Sequence, residues 1–92
     1  MQANERVAKL RAAIERGLAP ATLTVQDDSA KHAGHAGARE GGHFSVHVVS
    51  ERFRGRGRIE RHRLVYEAVG GLMGSEIHAL AITALSPEEV TS

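Results

Sequence analysis

Hydrophobic positions along this chain change period several times, and each change marks an element. Val7, Leu10, Ile14 and Leu18 recur at three- and four-residue intervals, with Glu5, Lys9, Arg11 and Arg16 elsewhere, which predicts an amphipathic helix over residues 4–18. Asn4 is its expected cap, Gly17 its expected close, and Pro20 bars continuation. Leu23, Val25 and Asp27 then alternate with Thr22, Thr24 and Gln26, a strand ending in the turn-forming Asp27-Asp28-Ser29. A second strand is expected over residues 43–50, with Phe44, Val46 and Val48 on one face and Ser45 and His47 on the other. A Gly-Arg-Gly-Arg turn at residues 55–58 leads into a second helix. Its apolar face is Leu64, Val65, Ala68, Val69 and Leu72, and Gly74 is its expected end. Residues 77–84 form a third strand with Leu80 and Ile82 on one face, and Ser86-Pro87-Glu88-Glu89 reads as the cap, first residue and acidic first turn of a last short helix.

The order α-β-β-α-β-α defines an α+β fold. The first two strands are expected to pair antiparallel, and a helical crossover makes the second and third parallel within a three-stranded mixed sheet. Both long helices then cover one face of the sheet. The other face, carrying Thr22, Thr24, Ser45 and His47, is left to solvent or a partner.

Length adds that the 92 residues make one small domain, residues 1–92. The chain has no cysteine, so disulfides are excluded and any soft-metal chemistry must use histidine or borrow thiolates. No apolar run approaches the roughly 18 residues of a membrane span, and the first residues lack a signal-peptide layout, so a cytoplasmic location is the expectation; separately, the isolated chain is expected to be a monomer. Twelve basic against eleven acidic residues leave a net charge of +1, which argues against a bulk polyelectrolyte binder. The basic charge is nevertheless concentrated in Arg52, Arg54, Arg56, Arg58, Arg61 and Arg63.

Between the first two strands, Lys31-His32-Ala33-Gly34-His35-Ala36-Gly37-Ala38-Arg39-Glu40-Gly41 suits neither helix nor strand and has the composition of a ligand-presenting loop. His32 and His35 stand in HxxH spacing there, which in a glycine-rich loop is weak evidence for a metal site when taken alone. His43 and His47 share strand parity with Ser45 and read as surface residues. His62, between two arginines at the start of the second helix, reads as structural.

Five segments carry a family resemblance: Asp28-Ser29-Ala30-Lys31-His32-Ala33-Gly34-His35-Ala36-Gly37, Gly42-His43-Phe44, Val49-Ser50-Glu51-Arg52-Phe53, Glu60-Arg61-His62-Arg63-Leu64-Val65-Tyr66 and Ile77-His78-Ala79-Leu80. In order and spacing they resemble the BolA family across nearly the whole chain. The resemblance implies a fold like that of class II KH domains. It also implies pairing with a monothiol glutaredoxin to share a [2Fe-2S] cluster in iron–sulfur trafficking or iron homeostasis. Such a cluster takes four ligands, and imidazole can replace thiolate on one iron. By position, the resemblance implies His78 as the C-terminal ligand and His32 as the loop ligand, with His35 the near alternative. One glutaredoxin cysteine and one glutathione thiol would complete the set, and no cluster is expected on the isolated chain.

The second functional class is nucleic-acid binding. A KH domain clamps a nucleic-acid backbone with a Gly-x-x-Gly loop between two helices. The corresponding place reads Arg54-Gly55-Arg56-Gly57-Arg58, with its glycines one residue apart, so the clamp is absent as written. Gly71-Leu72-Met73-Gly74 has the spacing but sits at the end of a helix. Arg54, Arg56, Arg58 and Arg61 can still attract phosphates in a salt-sensitive manner, and BolA-like proteins have been regarded as DNA-binding regulators. A solvated basic face accounts for the same residues equally well. Catalysis is not expected, because neither a nucleophile with a positioned base nor a carboxylate pair stands out beyond Asp27-Asp28 and Glu88-Glu89.

Overall fold

The computed structural model describes residues 2–28, 42–74 and 77–91. Helix α1 (Gln2–Leu18) is followed by strands β1 (Thr22–Asp27) and β2 (Gly42–Val49), helix α2 (Arg58–Val69), strand β3 (Ile77–Leu85) and helix α3 (Pro87–Thr91). Short 3-10 turns stand at Glu51–Phe53 and Gly70–Leu72. The sheet order is β1-β2-β3, with β1 antiparallel and β3 parallel to the central β2. The parallel pairing is what the α2 crossover requires, since it returns the chain to the end of the sheet from which β2 started.

Leu10, Ile14 and Leu18 of α1 and Val65 and Val69 of α2 pack on Phe44, Val46 and Val48 of β2, with Phe53 and Ile77 completing the buried core. Burying each such side chain contributes about 1.5–3 kcal/mol, so the alternating face of β2 and the helical stripes together hold both long helices on one side of the sheet. Ser50 ties three elements to this core. Its buried hydroxyl donates to the Leu18 carbonyl at 2.7 Å, accepts from the Arg52 amide at 3.1 Å, and its own amide donates to the Leu85 carbonyl at 2.9 Å.

Helix boundaries depart from expectation at three glycine or cap positions. Asn4 lies inside α1, which already begins at Gln2, and so does not cap it. Gly17 is also internal. A Cβ there would lie 2.8 Å from the Ala68 Cβ, so its smallness serves the close approach of α1 and α2 and not a helix stop. The turn out of α1 is made instead by Ala19 at φ 44, whose amide donates to the Glu15 carbonyl at 3.1 Å. At the other helix, α2 ends at Val69, and Gly70 at φ 58 donates its amide to Tyr66. Leu72 therefore belongs to the following 3-10 turn, although it still packs against the core.

Candidate functional site

Two features stand out where sequence reasoning placed chemistry: the start of β3 and the entry to α2. Ile77 and Leu80 both pack into the core at a spacing of three, which strict strand alternation does not allow. The register explains it. Gly42 pairs with Ile77 but His43 pairs with Ala79, so His78 is the extra residue of a β-bulge. Without the bulge, His78 would share the parity of Leu80 and Ile82 and face the core. With it, His78 is exposed.

The bulge brings His78 to a neighbour. The rings of His43 and His78 lie with centroids 5.2 Å apart and planes inclined by 39°. His43 is half-buried, and its carbonyl accepts the Asp28 amide at 2.7 Å, which extends the β1–β2 pairing by one residue. Asp28 in turn accepts from Gln26 Nε2 at 2.8 Å and from the Ser45 hydroxyl, bracing this end of the sheet. Gly42 is required beside it, because a Cβ would fall 2.1 Å from the Phe44 ring. Strand alternation alone makes His43 a plain surface residue. Its side chain does lie on the outer face, but its proximity to His78 comes from a register irregularity that no local pattern signals. His47 is the exposed surface residue expected. The loop histidines His32 and His35 lie outside the described residues, and among the described residues no group of three or more metal-ligating side chains is assembled.

The arginine segment divides into committed and uncommitted side chains. Arg61, expected to face phosphate, points inward. Its Nη1 donates to the Ala84 carbonyl at 3.0 Å and to Glu89 Oε1 at 2.6 Å, its Nη2 to Glu89 Oε2 at 3.3 Å, and its Nε to the Arg56 carbonyl at 2.8 Å. Only 13% of its side chain remains exposed. The Arg61 guanidinium, together with the Ser86 amide, holds the Glu89 carboxyl down to about 2 from its ordinary 4.5. Arg61 is thus a fastener between α2, β3 and α3, and is removed from the expected phosphate-binding set.

Arg54 pairs with Glu51 at 2.8 Å and also with Glu88, while Arg56 donates to the Arg52 carbonyl at 3.1 Å and lies 3.6 Å from Glu60. These exposed pairs are weak and can be exchanged for an anion. The guanidinium groups of Arg52, Arg58 and Arg63 make no ion pair among the described residues. Arg58, Ile59, His62, Arg63 and Tyr66 line a shallow groove on the outer face of α2, with Ile59 76% exposed. Half-buried His62 faces both this groove and the cleft between α2 and β3. Phe53 is wholly buried and unavailable for stacking, which leaves Tyr66 as the exposed aromatic ring among the described residues. Arg54, Gly55, Arg56 and Gly57 connect a 3-10 turn to α2, so no Gly-x-x-Gly clamp forms there. No described helix is long and apolar enough to cross a membrane.

Comparison with known proteins assigns this architecture. A family model described as BolA-like protein matches residues 14–89. BolA-like protein 1 of Mus musculus is 43% identical over 82 residues, covering 89% of this chain and 58% of that protein. The DNA-binding transcriptional regulator BolA of Escherichia coli is 37% identical over 90 residues, covering 97% and 80%. SufE-like protein 1 of Arabidopsis thaliana, a chloroplastic and mitochondrial protein, is 39% identical over 88 residues, and the chain spans only 24% of its length. The solved BolA domain of that protein superposes with a TM-score of 0.80 at 40% identity, covering 91% of this chain and 94% of the domain. With the family model spanning residues 14–89 and relatives of this identity and fold, the chain belongs to the BolA-like family.

Proposed function

We propose that this chain is an adaptor that docks on a monothiol glutaredoxin and contributes His78 to a shared [2Fe-2S] cluster, acting in iron–sulfur trafficking or iron homeostasis. The observation that carries the reading is the β-bulge, which costs the ladder its regularity in order to turn one imidazole out of the core at the rim of the sheet. A group held mainly by a partner needs such a donor: accessible and carried on a strand of the sheet. The donor set fits, since imidazole can stand in for thiolate on one iron and the chain supplies no thiolate of its own. When bound, the cluster provides electron-transfer and iron-donating chemistry. The chain's part is to present the imidazole and to hold the strand that carries it. A second ligand would come from the loop, His32 or His35.

The test is a titration of glutaredoxin-bound [2Fe-2S] cluster, with glutathione present, by this chain and by His78→Ala, followed by visible absorption and circular dichroism. A stoichiometric spectral change that disappears in the variant is expected. An unchanged spectrum with the wild-type chain, or the same change with His78→Ala, overturns the reading.

A second reading, a DNA-binding regulator, is favoured by one observation. Arg58 and Arg63 flank an exposed α2 groove and make no ion pair among the described residues, and the Escherichia coli relative is named a DNA-binding transcriptional regulator. Retention of a labelled DNA duplex that weakens steeply with salt would support it.

A further inference from the structure

We propose that His43 and His78 form a bidentate imidazole site for a borderline divalent ion such as Zn2+ on the chain by itself. The two residues are 35 positions apart in sequence and meet only through the β2–β3 register, with His43 opposite Ala79 and His78 bulged out beside it. Two imidazoles on one tetrahedral ion, with metal–nitrogen bonds of about 2.0–2.1 Å, hold their ring centroids about 5 Å apart. The rings here stand at 5.2 Å.

That separation also suits two rings in simple contact, so the surroundings matter. His78 is exposed and His43 only half-buried, so an ion between them keeps coordination positions open to water or to an incoming ligand. Both donors sit on paired strands of one sheet, which holds their backbones at a fixed separation. With no thiolate in the chain, ions that accept imidazole nitrogen are the class that fits. If His78 also serves the shared cluster, which rests on the reading above, the ion and the cluster exclude one another at that nitrogen, and Zn2+ holds the chain back from cluster sharing.

The experiment titrates the untagged full chain with zinc chloride, without glutaredoxin, by calorimetry and by the imidazole 1H–15N signals. Binding of one ion that shifts the His43 and His78 signals together is expected. His43→Ala and His78→Ala each weaken it by about ten-fold or more, the loss of one arm of a chelate. His47→Ala, on the same sheet face, leaves it unchanged. His43→Gln keeps a polar side chain of similar size and guards against a folding defect, and it should behave like His43→Ala. The proposal is overturned if both His43 variants bind as tightly as wild type, or if binding instead vanishes in a combined His32→Ala and His35→Ala variant with His43→Ala unaffected. Because no cluster is present, a failure here leaves the cluster-sharing reading standing, and a failed cluster titration leaves this site standing.

Discussion

Arg61 and Glu89 form a two-pronged ion pair, at 2.6 and 3.3 Å, that ties the start of α2 to the last helix. Glu89 also accepts the Ser86 amide at 2.7 Å, satisfying the free backbone N–H at the start of α3, and Arg61 reaches past it to the Ala84 carbonyl. One arginine therefore anchors the end of β3 and fixes the helix after it. The Glu89 carboxyl ionises near 2 in the fold against an ordinary 4.5. A depressed folded value means that the pairing contributes fully above the unfolded value and is lost as the pH falls through the folded one. The stability difference between wild type and Glu89→Gln is expected to be present at neutral pH, to shrink below about 4.5 and to vanish near 2, read from thermal midpoints across that range. A difference that stays constant down to the lowest pH would contradict the assignment.

The arginines should separate by role. Arg61→Ala is expected to destabilise by about 1–3 kcal/mol, since it strips a partly buried carbonyl and a carboxylate of their donor. Replacing Arg58 and Arg63 with alanine should leave stability within about 0.5 kcal/mol. Chemical denaturation of the variants checks both. If the chain binds DNA, the Arg58 and Arg63 pair should reduce the salt slope by about two units.

Ser50→Ala leaves the Leu18 carbonyl without its donor and removes the acceptor that caps the 3-10 turn. The cost is expected to be about 1–3 kcal/mol, read as a lower denaturant midpoint with an unchanged slope. Ser50→Thr keeps the hydroxyl but adds a methyl at a site with no exposure, and is expected to recover only part of the loss.

Gly17→Ala tests the contact between the two long helices. Helix propensity alone favours alanine by about 1 kcal/mol. The 2.8 Å approach to Ala68 opposes it with an overpacking cost of about 1–3 kcal/mol. Net destabilisation is expected, and Ala68→Gly in the same chain should relieve the clash, giving favourable coupling in a double-mutant cycle. A gain in stability from Gly17→Ala alone would mean that the helices have slack at this contact.

The sequence by itself determined the element order, the mixed sheet and the face on which the helices lie. Each of these is written locally: threefold and fourfold spacing in Val7, Leu10, Ile14 and Leu18, alternation in Phe44, Val46 and Val48, and a crossover whose handedness is general. It also singled out His78 through its resemblance to the family motif. The tertiary structure decided what depends on contacts between distant segments. Gly17 reads as a helix stop until Ala68 is found against it. Arg61 reads as one more exposed cation until Ala84 and Glu89 close around it. His43 reads as an ordinary surface histidine until the bulge in β3 sets His78 beside it. Periodicity reports which way a side chain faces, whereas register and packing decide what it faces, because those are set by strand pairing and core volume across the whole chain.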